Sequence, residues 1–198
     1  MSIVRSRPLA ECLTPQQALG ELFFGFDGAD SLKMDFLEVS PAEMPSIPRQ
    51  LLVHQKHMTR TLNAHYGVPV DVHVMERHRD NDLYSRKIFL TARESKTVVE
   101  YGLVRLDFRY MPPNVRDTIL QEHAPLGSIL INNNILRRIQ PRWYLKFPKT
   151  SQILSWFACQ PSEDLFGRLA TIYCNGEPAI ELVEIVTATP ANPAVPNS

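Results

Sequence analysis

The strongest constraint on the fold lies near the C-terminus, at the dipeptide Asn175-Gly176. Both residue types accept the left-handed backbone conformation that a two-residue β-hairpin turn requires. The runs on either side of the dipeptide, within residues 165–186, are rich in residues that favour strands. The segment therefore predicts an antiparallel hairpin, which needs further strands or helices to cover its apolar face.

The length of the hairpin loop decides which residues of the two strands face each other. A two-residue loop pairs Arg168 with Val183, whereas a three-residue loop pairs Arg168 with Glu184. Glu184 and Arg168 share a face of the sheet only in the second register. The sequence alone leaves both registers open.

Earlier segments also have strand-like patterns. In residues 70–75 valines alternate with other residues, as in a half-buried strand, and Leu83–Leu90 is a second candidate. Thr97–Tyr110 is rich in Val, Leu, Tyr and Phe and predicts a long strand. The basic segment Arg137–Lys149 is interpreted as a solvated charged face, with anion attraction as the alternative.

Helices are predicted early and in the middle of the chain. One runs through Pro15–Phe24 with Thr14 as its N-cap. Residues 49–66 form a second helical region with a possible break near Thr59, and Gly67 follows its last turn as a C-cap would. Together the elements predict an α+β fold, in which helices flank an antiparallel sheet of about six strands.

Composition narrows the classes of function. The 198 residues suit one domain, and 21 Lys plus Arg balance 21 Asp plus Glu, so there is no electrostatic reason to expect a nucleic acid or an anionic membrane as partner. The three cysteines are widely spaced, which argues against a disulfide framework or a structural zinc site. No secretory signal or apolar span is apparent in the sequence, and we expect a reducing, cytoplasmic location.

Two charged residues fall in apolar rows of predicted strands. Period-two counting places Arg86 among aliphatic and aromatic side chains, and Glu184 among aliphatic ones. The companions are Tyr84, Ile88 and Leu90 in the first row, and Ile180, Leu182 and Val186 in the second. Either both charges face solvent, or both line an internal cavity. In the second case Arg86 would bind a ligand carboxylate bidentately and Glu184 would hydrogen-bond a ligand hydroxyl.

Four segments, taken in order, resemble the chorismate pyruvate-lyase family over roughly residues 50–186. They are Leu51-Leu52-Val53-His54-Gln55-Lys56-His57-Met58-Thr59-Arg60, Tyr84-Ser85-Arg86-Lys87-Ile88-Phe89-Leu90, Pro125-Leu126-Gly127-Ser128-Ile129-Leu130, and the stretch from Asn175-Gly176-Glu177-Pro178 to Val183-Glu184-Ile185. Each motif is common by itself, and their shared order makes the resemblance specific. The resemblance implies a sheet that encloses an anionic ring ligand.

The same resemblance implies roles for individual residues. Arg86 and the backbone N–H of Leu126 would hold the ring carboxylate, Glu184 would contact the ring 4-hydroxyl, and Met58 would lie in a lid. Glu184 and Arg86 would be the catalytic residues. The implied reaction is elimination of pyruvate from chorismate to give 4-hydroxybenzoate, a precursor in ubiquinone or quinone biosynthesis, without a metal or organic cofactor. A second cation, for the enolpyruvyl carboxylate, would be Arg168, Arg60 or Arg105. The alternative function is a binding module of the same fold without catalysis.

The chain departs from the family pattern in two places. His54 stands where a carboxylate often stands, and we expect it at the surface. The strand reading Glu100-Tyr101-Gly102 lacks the usual Gly-Arg-Thr-like core. We predict an extension over residues 1–48, the ligand-binding domain over residues 49–187 and a disordered tail over residues 188–198, and the sequence leaves monomer and dimer open.

Overall fold

The computed structural model describes residues 8–26, 35–152, 154 and 163–187. Its strands are β1 (Leu37–Glu38), β2 (Val70–Asp80), β3 (Leu83–Ala92), β4 (Val98–Asp107), β5 (Arg137–Phe147), β6 (Leu165–Cys174) and β7 (Glu177–Thr187). They form one sheet in the order β1-β5-β6-β7-β4-β3-β2, and every neighbouring pair is antiparallel. The predicted α+β fold class with an antiparallel sheet is confirmed. The described part has seven strands, among them β1, which is too short to leave a sequence pattern, and β5, which lies in the basic segment.

Five α-helices occur in the described part: α1 (Pro15–Phe23), α2 (Ser46–Leu52), α3 (Met58–Tyr66), α4 (Pro113–Leu120) and α5 (Leu126–Asn132). The predicted caps are confirmed, since Thr14 Oγ1 accepts a hydrogen bond from the N–H of Gln17 at 3.2 Å and Gly67 has a φ of 72°. The predicted second helical region is two helices, with the break before Met58.

The sheet separates two apolar layers. On one face α1 and the turn Leu9–Glu11 pack against inward-facing residues of β4 to β7, with Leu103, Leu169 and Val183 at the centre. On the opposite face α2 and α3 cover one half of the sheet, and α4 and α5 cover the other half. The candidate site lies on this second face, between the two pairs of helices.

A β-bulge sets the register of the terminal hairpin. The loop has two residues, Asn175 and Gly176, and Cys174 pairs with Glu177 as the two-residue loop requires. The register then shifts, so that Ile172 pairs with Ile180 and Arg168 pairs with Glu184. The loop therefore has two residues, but Arg168 has the partner predicted for a three-residue loop. The partner predicted for the two-residue loop, Val183, is wrong. The shift occurs next to Pro178, which has no N–H to donate to the ladder.

The basic segment over residues 137–149 is mostly strand β5, which pairs with β6 on one side and β1 on the other. Leu145 and Phe147 are fully buried, whereas the five basic residues of the segment are half-buried or exposed. The segment is therefore a strand with a buried apolar row and a charged row at the surface. Cys174 is a buried free thiol. Cys159 lies outside the described residues, as does the predicted tail. Among the described helices, none has the length and apolarity to cross a membrane.

Candidate functional site

A cavity of about 50 Å³ lies on the helical face of the sheet, where β3, β4 and β7 meet α3 and α5. Four sequence-predicted residues line it: Arg86, Glu184, Leu126 and Met58. Its other polar walls are His57, Thr59 and Glu100, and its apolar walls include Val72, Ile88, Val104 and Ile172. The fold therefore brings together residues from distant parts of the chain.

Arg86 is 0% exposed, which removes the alternative that it faces solvent. None of its three guanidinium nitrogens has a hydrogen-bond partner among the described residues. Burial lowers the pKa of this guanidinium, and the nearby Tyr84 and Glu122 partly offset that effect. A buried cation without a partner costs several kcal/mol, on the order of 3–5 for one left unpaired, so this group is poised for an anion.

Glu184 is also buried, at 8% exposed, and it is paired within the protein. Nε of Arg168 donates a hydrogen bond to Oε2 of Glu184 at 2.5 Å. Arg168 does not itself line the cavity; its Nη1 donates to the carbonyl oxygens of Leu52 at 3.0 Å and His54 at 2.8 Å. Glu184 thus has one oxygen committed to Arg168 and stands beside the cavity.

Glu100 is a site residue that the sequence reasoning did not single out. It is 3% exposed, lines the cavity, and its Oε2 has no hydrogen-bond partner among the described residues. Burial, together with the charge of Glu184, raises its pKa well above the ordinary value. It shares a face of β4 with Gly102, Val104 and Leu106, so the period-two count that flagged Arg86 would also have found it.

The wall opposite the sheet comes from α3 and α5. His57 precedes α3 and accepts a hydrogen bond at Nε2 from Nε of Arg137. Burial, with Arg137 and further cations nearby, lowers the pKa of His57 to about 4, so its ring is neutral near pH 7. Leu126 is the first residue of α5, and the N–H groups of a first turn have no partner within their own helix.

The remaining predicted positions lie outside the cavity. Arg105 lies on the opposite face, where Nε donates to Glu181 at 2.9 Å. Arg60 is exposed in a neighbouring groove. His54 is half-buried rather than at the surface, and burial followed by the charge of Arg168 lowers its pKa to about 4.

Comparisons with known proteins identify the fold. No protein-family model matches the chain, and no curated protein sequence matches it. PhnF from Mycobacterium smegmatis is similar in structure, with a TM-score of 0.51, 11% identity, and coverage of 69% of this chain and 65% of that chain. The chain thus spans less than two thirds of PhnF. At this identity the likeness shows a shared fold.

Two further structures are similar at lower scores. The effector domain of PhnF has a TM-score of 0.45 and 14% identity, with 66% of this chain and 87% of that chain covered. A GntR-family transcriptional regulator from Bacillus cereus has a TM-score of 0.41 and 11% identity, with 65% and 99% covered.

Proposed function

We propose that this chain is a binding module for a small aromatic carboxylate, which it holds in the cavity beside Arg86. The observation that carries the proposal is the guanidinium of Arg86, fully buried, at the cavity wall and without a partner among the described residues. A planar guanidinium matches a carboxylate through two parallel hydrogen bonds. The fold shared with PhnF does not identify a ligand. The ligand class is therefore inferred from the side chains that line the cavity.

The apolar walls favour a ring as the body of the ligand. Ile88, Val104 and Ile172 line the cavity together with Met58 and Leu126, and ligand pockets commonly combine such walls with a few placed polar groups. A cavity of about 150 Å³ accommodates benzene, whereas this one measures about 50 Å³. Ring entry therefore requires α3 or α5 to move outward, with Met58 as the residue that closes over the ligand.

Titration calorimetry with benzoate and 4-hydroxybenzoate tests the proposal. We expect the wild type to bind both, and Arg86→Met to weaken binding by about tenfold or more because the charge-assisted hydrogen bonds are lost. Arg116→Met is the matched control, since Arg116 is a partly exposed arginine whose ion pair with Asp117 lies on the surface. Equal affinity in the wild type and Arg86→Met, with both variants folded, would remove the site assignment.

Chorismate pyruvate-lyase activity is the second candidate. The observation that favours it is that Arg86, Glu184, Leu126 and Met58 line one cavity, as the family resemblance requires. Arg86 and the N–H of Leu126 would hold the ring carboxylate, and Glu184 would contact the oxygen at the 4-position. Loss of pyruvate aromatises the ring, so the site needs to hold a reactive conformer and to stabilise shifting charge.

Coupling chorismate consumption to pyruvate detection separates the two candidates. Pyruvate release that falls in Glu184→Gln, while the variant stays folded, supports the lyase. Binding of 4-hydroxybenzoate without pyruvate release supports the binding module, because the product-like ligand then enters a site that performs no elimination.

A further inference from the structure

The cavity has two polar ends that the protein does not satisfy. Arg86 forms one end, with three nitrogens that lack partners among the described residues, and Oε2 of Glu100 forms the other. Buried polar atoms in folded proteins nearly always have a hydrogen-bond partner. Two such groups in one cavity therefore indicate that a single ligand supplies both partners.

The strand register sets the spacing between these two ends. Arg86 of β3 pairs with Val104 of β4, and Glu100 lies on the same face of β4 opposite Leu90. Strands rise about 3.3 Å per residue, so the backbone positions are roughly 13 Å apart along the sheet. Both side chains are long, and both reach the space between these positions. The spacing of the two polar ends matches one ring-sized ligand with polar groups at opposite ends, once the cavity has opened to admit the ring.

Charges near the cavity limit the charge of its ligand. Arg168 and Glu184 neutralise each other at 2.5 Å, and the ring of His57 accepts a hydrogen bond from Arg137 and is neutral. Glu122, near Arg86, pairs with Arg77 at 2.8 Å. Burial and the adjacent charge of Glu184 both raise the pKa of Glu100 well above its ordinary value, which favours the protonated carboxyl group. The described cavity walls then carry one uncompensated positive charge, that of Arg86.

We propose that Glu100 determines ligand charge: as a carboxylic acid it donates a hydrogen bond to a neutral acceptor of a ligand that carries one carboxylate, which Arg86 binds. This inference rests on the proposed binding function and adds a specificity residue to it. A ligand with a second carboxylate places a second negative charge near Glu100 and Glu184, where the described cavity walls offer no second unpaired cation. The site therefore disfavours such a ligand. The ligand class is a singly charged aromatic carboxylate with a carbonyl, ether or hydroxyl group opposite the carboxylate.

Three benzoates that differ only at the 4-position test the inference in titration calorimetry at neutral pH: benzoate, the monomethyl ester of terephthalate, and terephthalate. The wild type should bind the monoester about fivefold to tenfold tighter than benzoate, which corresponds to one added hydrogen bond. Terephthalate should bind at least about tenfold more weakly than the monoester. Glu100→Leu should abolish the preference for the monoester over benzoate, and Glu100→Gln, which keeps an N–H donor, should preserve it.

The outcomes separate this inference from the proposed function. If benzoate binds and Arg86→Met weakens that binding, but terephthalate binds as tightly as the monoester, the role of Glu100 is wrong and the binding function stands. The same follows if Glu100→Leu weakens benzoate and the monoester equally, because such a loss is merely structural. If none of the three ligands binds the wild type, the proposed function and this inference both fail.

Discussion

Arg168 and Glu184 face each other across β6 and β7, and the N–H of Arg168 Nε donates to Glu184 Oε2 at 2.5 Å. The same guanidinium donates through Nη1 to the backbone oxygens of Leu52 and His54. Arg168 therefore ties the segment between α2 and α3 to the sheet. Because α3 begins with Met58 at the cavity wall, this network positions one side of the site.

Loss of the Arg168 side chain should destabilise the protein strongly. In Arg168→Met the carboxylate of Glu184 stays buried without its cation, and removal of one partner of a buried pair costs about 3–5 kcal/mol. Urea denaturation monitored by circular dichroism measures the free energy of unfolding. Arg116→Met, which breaks an exposed pair, should cost at most about 1 kcal/mol. Similar losses in the two variants would contradict the structural role of Arg168.

His57 should make stability depend on pH on the acid side. Its pKa falls from 6.5 to about 4 on folding, so the unfolded chain takes up a proton first as the pH drops below 6.5, and folding stability is lost progressively down to about pH 4. For a side chain only 9% exposed, this loss amounts to about 3 kcal/mol. The free energy of unfolding between pH 7 and pH 4.5 should fall less in His57→Gln than in the wild type. Parallel curves would show that His57 is not held neutral.

Glu100 should make the folded protein less stable as the pH rises above the ordinary pKa of a glutamate, whereas His57 lowers stability as the pH falls. Burial and the charge of Glu184 raise the pKa of Glu100 in the folded state, so the folded protein holds this proton to a higher pH than the unfolded chain, which loses it above about pH 4.5. Stability is therefore lost as the pH rises through the window between these two pKa values. Glu100→Gln removes this cost, so the variant should gain stability over the wild type as the pH increases. Glu177→Gln, at an exposed hairpin position, should show no such growing difference.

Sequence patterns predicted the faces of the strands better than their pairing. Alternation placed Arg86 and Glu184 in apolar rows, and both are buried because helices cover that face. The pairing of Arg168 depends on the bulge beside Pro178, which adds one residue to one strand and shifts the partner of every later residue by one position. Such a shift depends on the whole sheet and leaves no local pattern.

The cavity itself could be predicted only in part. The family resemblance supplied Arg86, Glu184, Leu126 and Met58, and these four line it. Glu100 was not predicted as a site residue because its strand was recognised from its apolar content alone. That content does not show which polar residue lies on the face that the helices cover. The hydrogen bonds from Arg168 to the α2–α3 segment join residues more than 100 positions apart, and no short-range pattern encodes them.

Gly102 should be required for an open cavity. It lies on β4 between the rows of Arg86 and Glu184, pairing with Ile88 and Glu184, and it lines the cavity. A Cβ at this position would stand 3.2 Å from Cγ1 of Ile88 and 3.5 Å from Oε1 of Glu100. Because the cavity measures about 50 Å³, the methyl group of Gly102→Ala occupies space that the ligand ring needs.

We expect Gly102→Ala to weaken 4-hydroxybenzoate binding by about tenfold or more, as measured by titration calorimetry, while the variant remains folded by circular dichroism. Gly20→Ala is the matched control: Gly20 is exposed on α1, and a Cβ there meets nothing within 4 Å. This control should leave affinity unchanged and stabilise the protein by up to about 1 kcal/mol through helix propensity. Unchanged affinity in Gly102→Ala would mean that the ring binds away from the space between β3, β4 and β7.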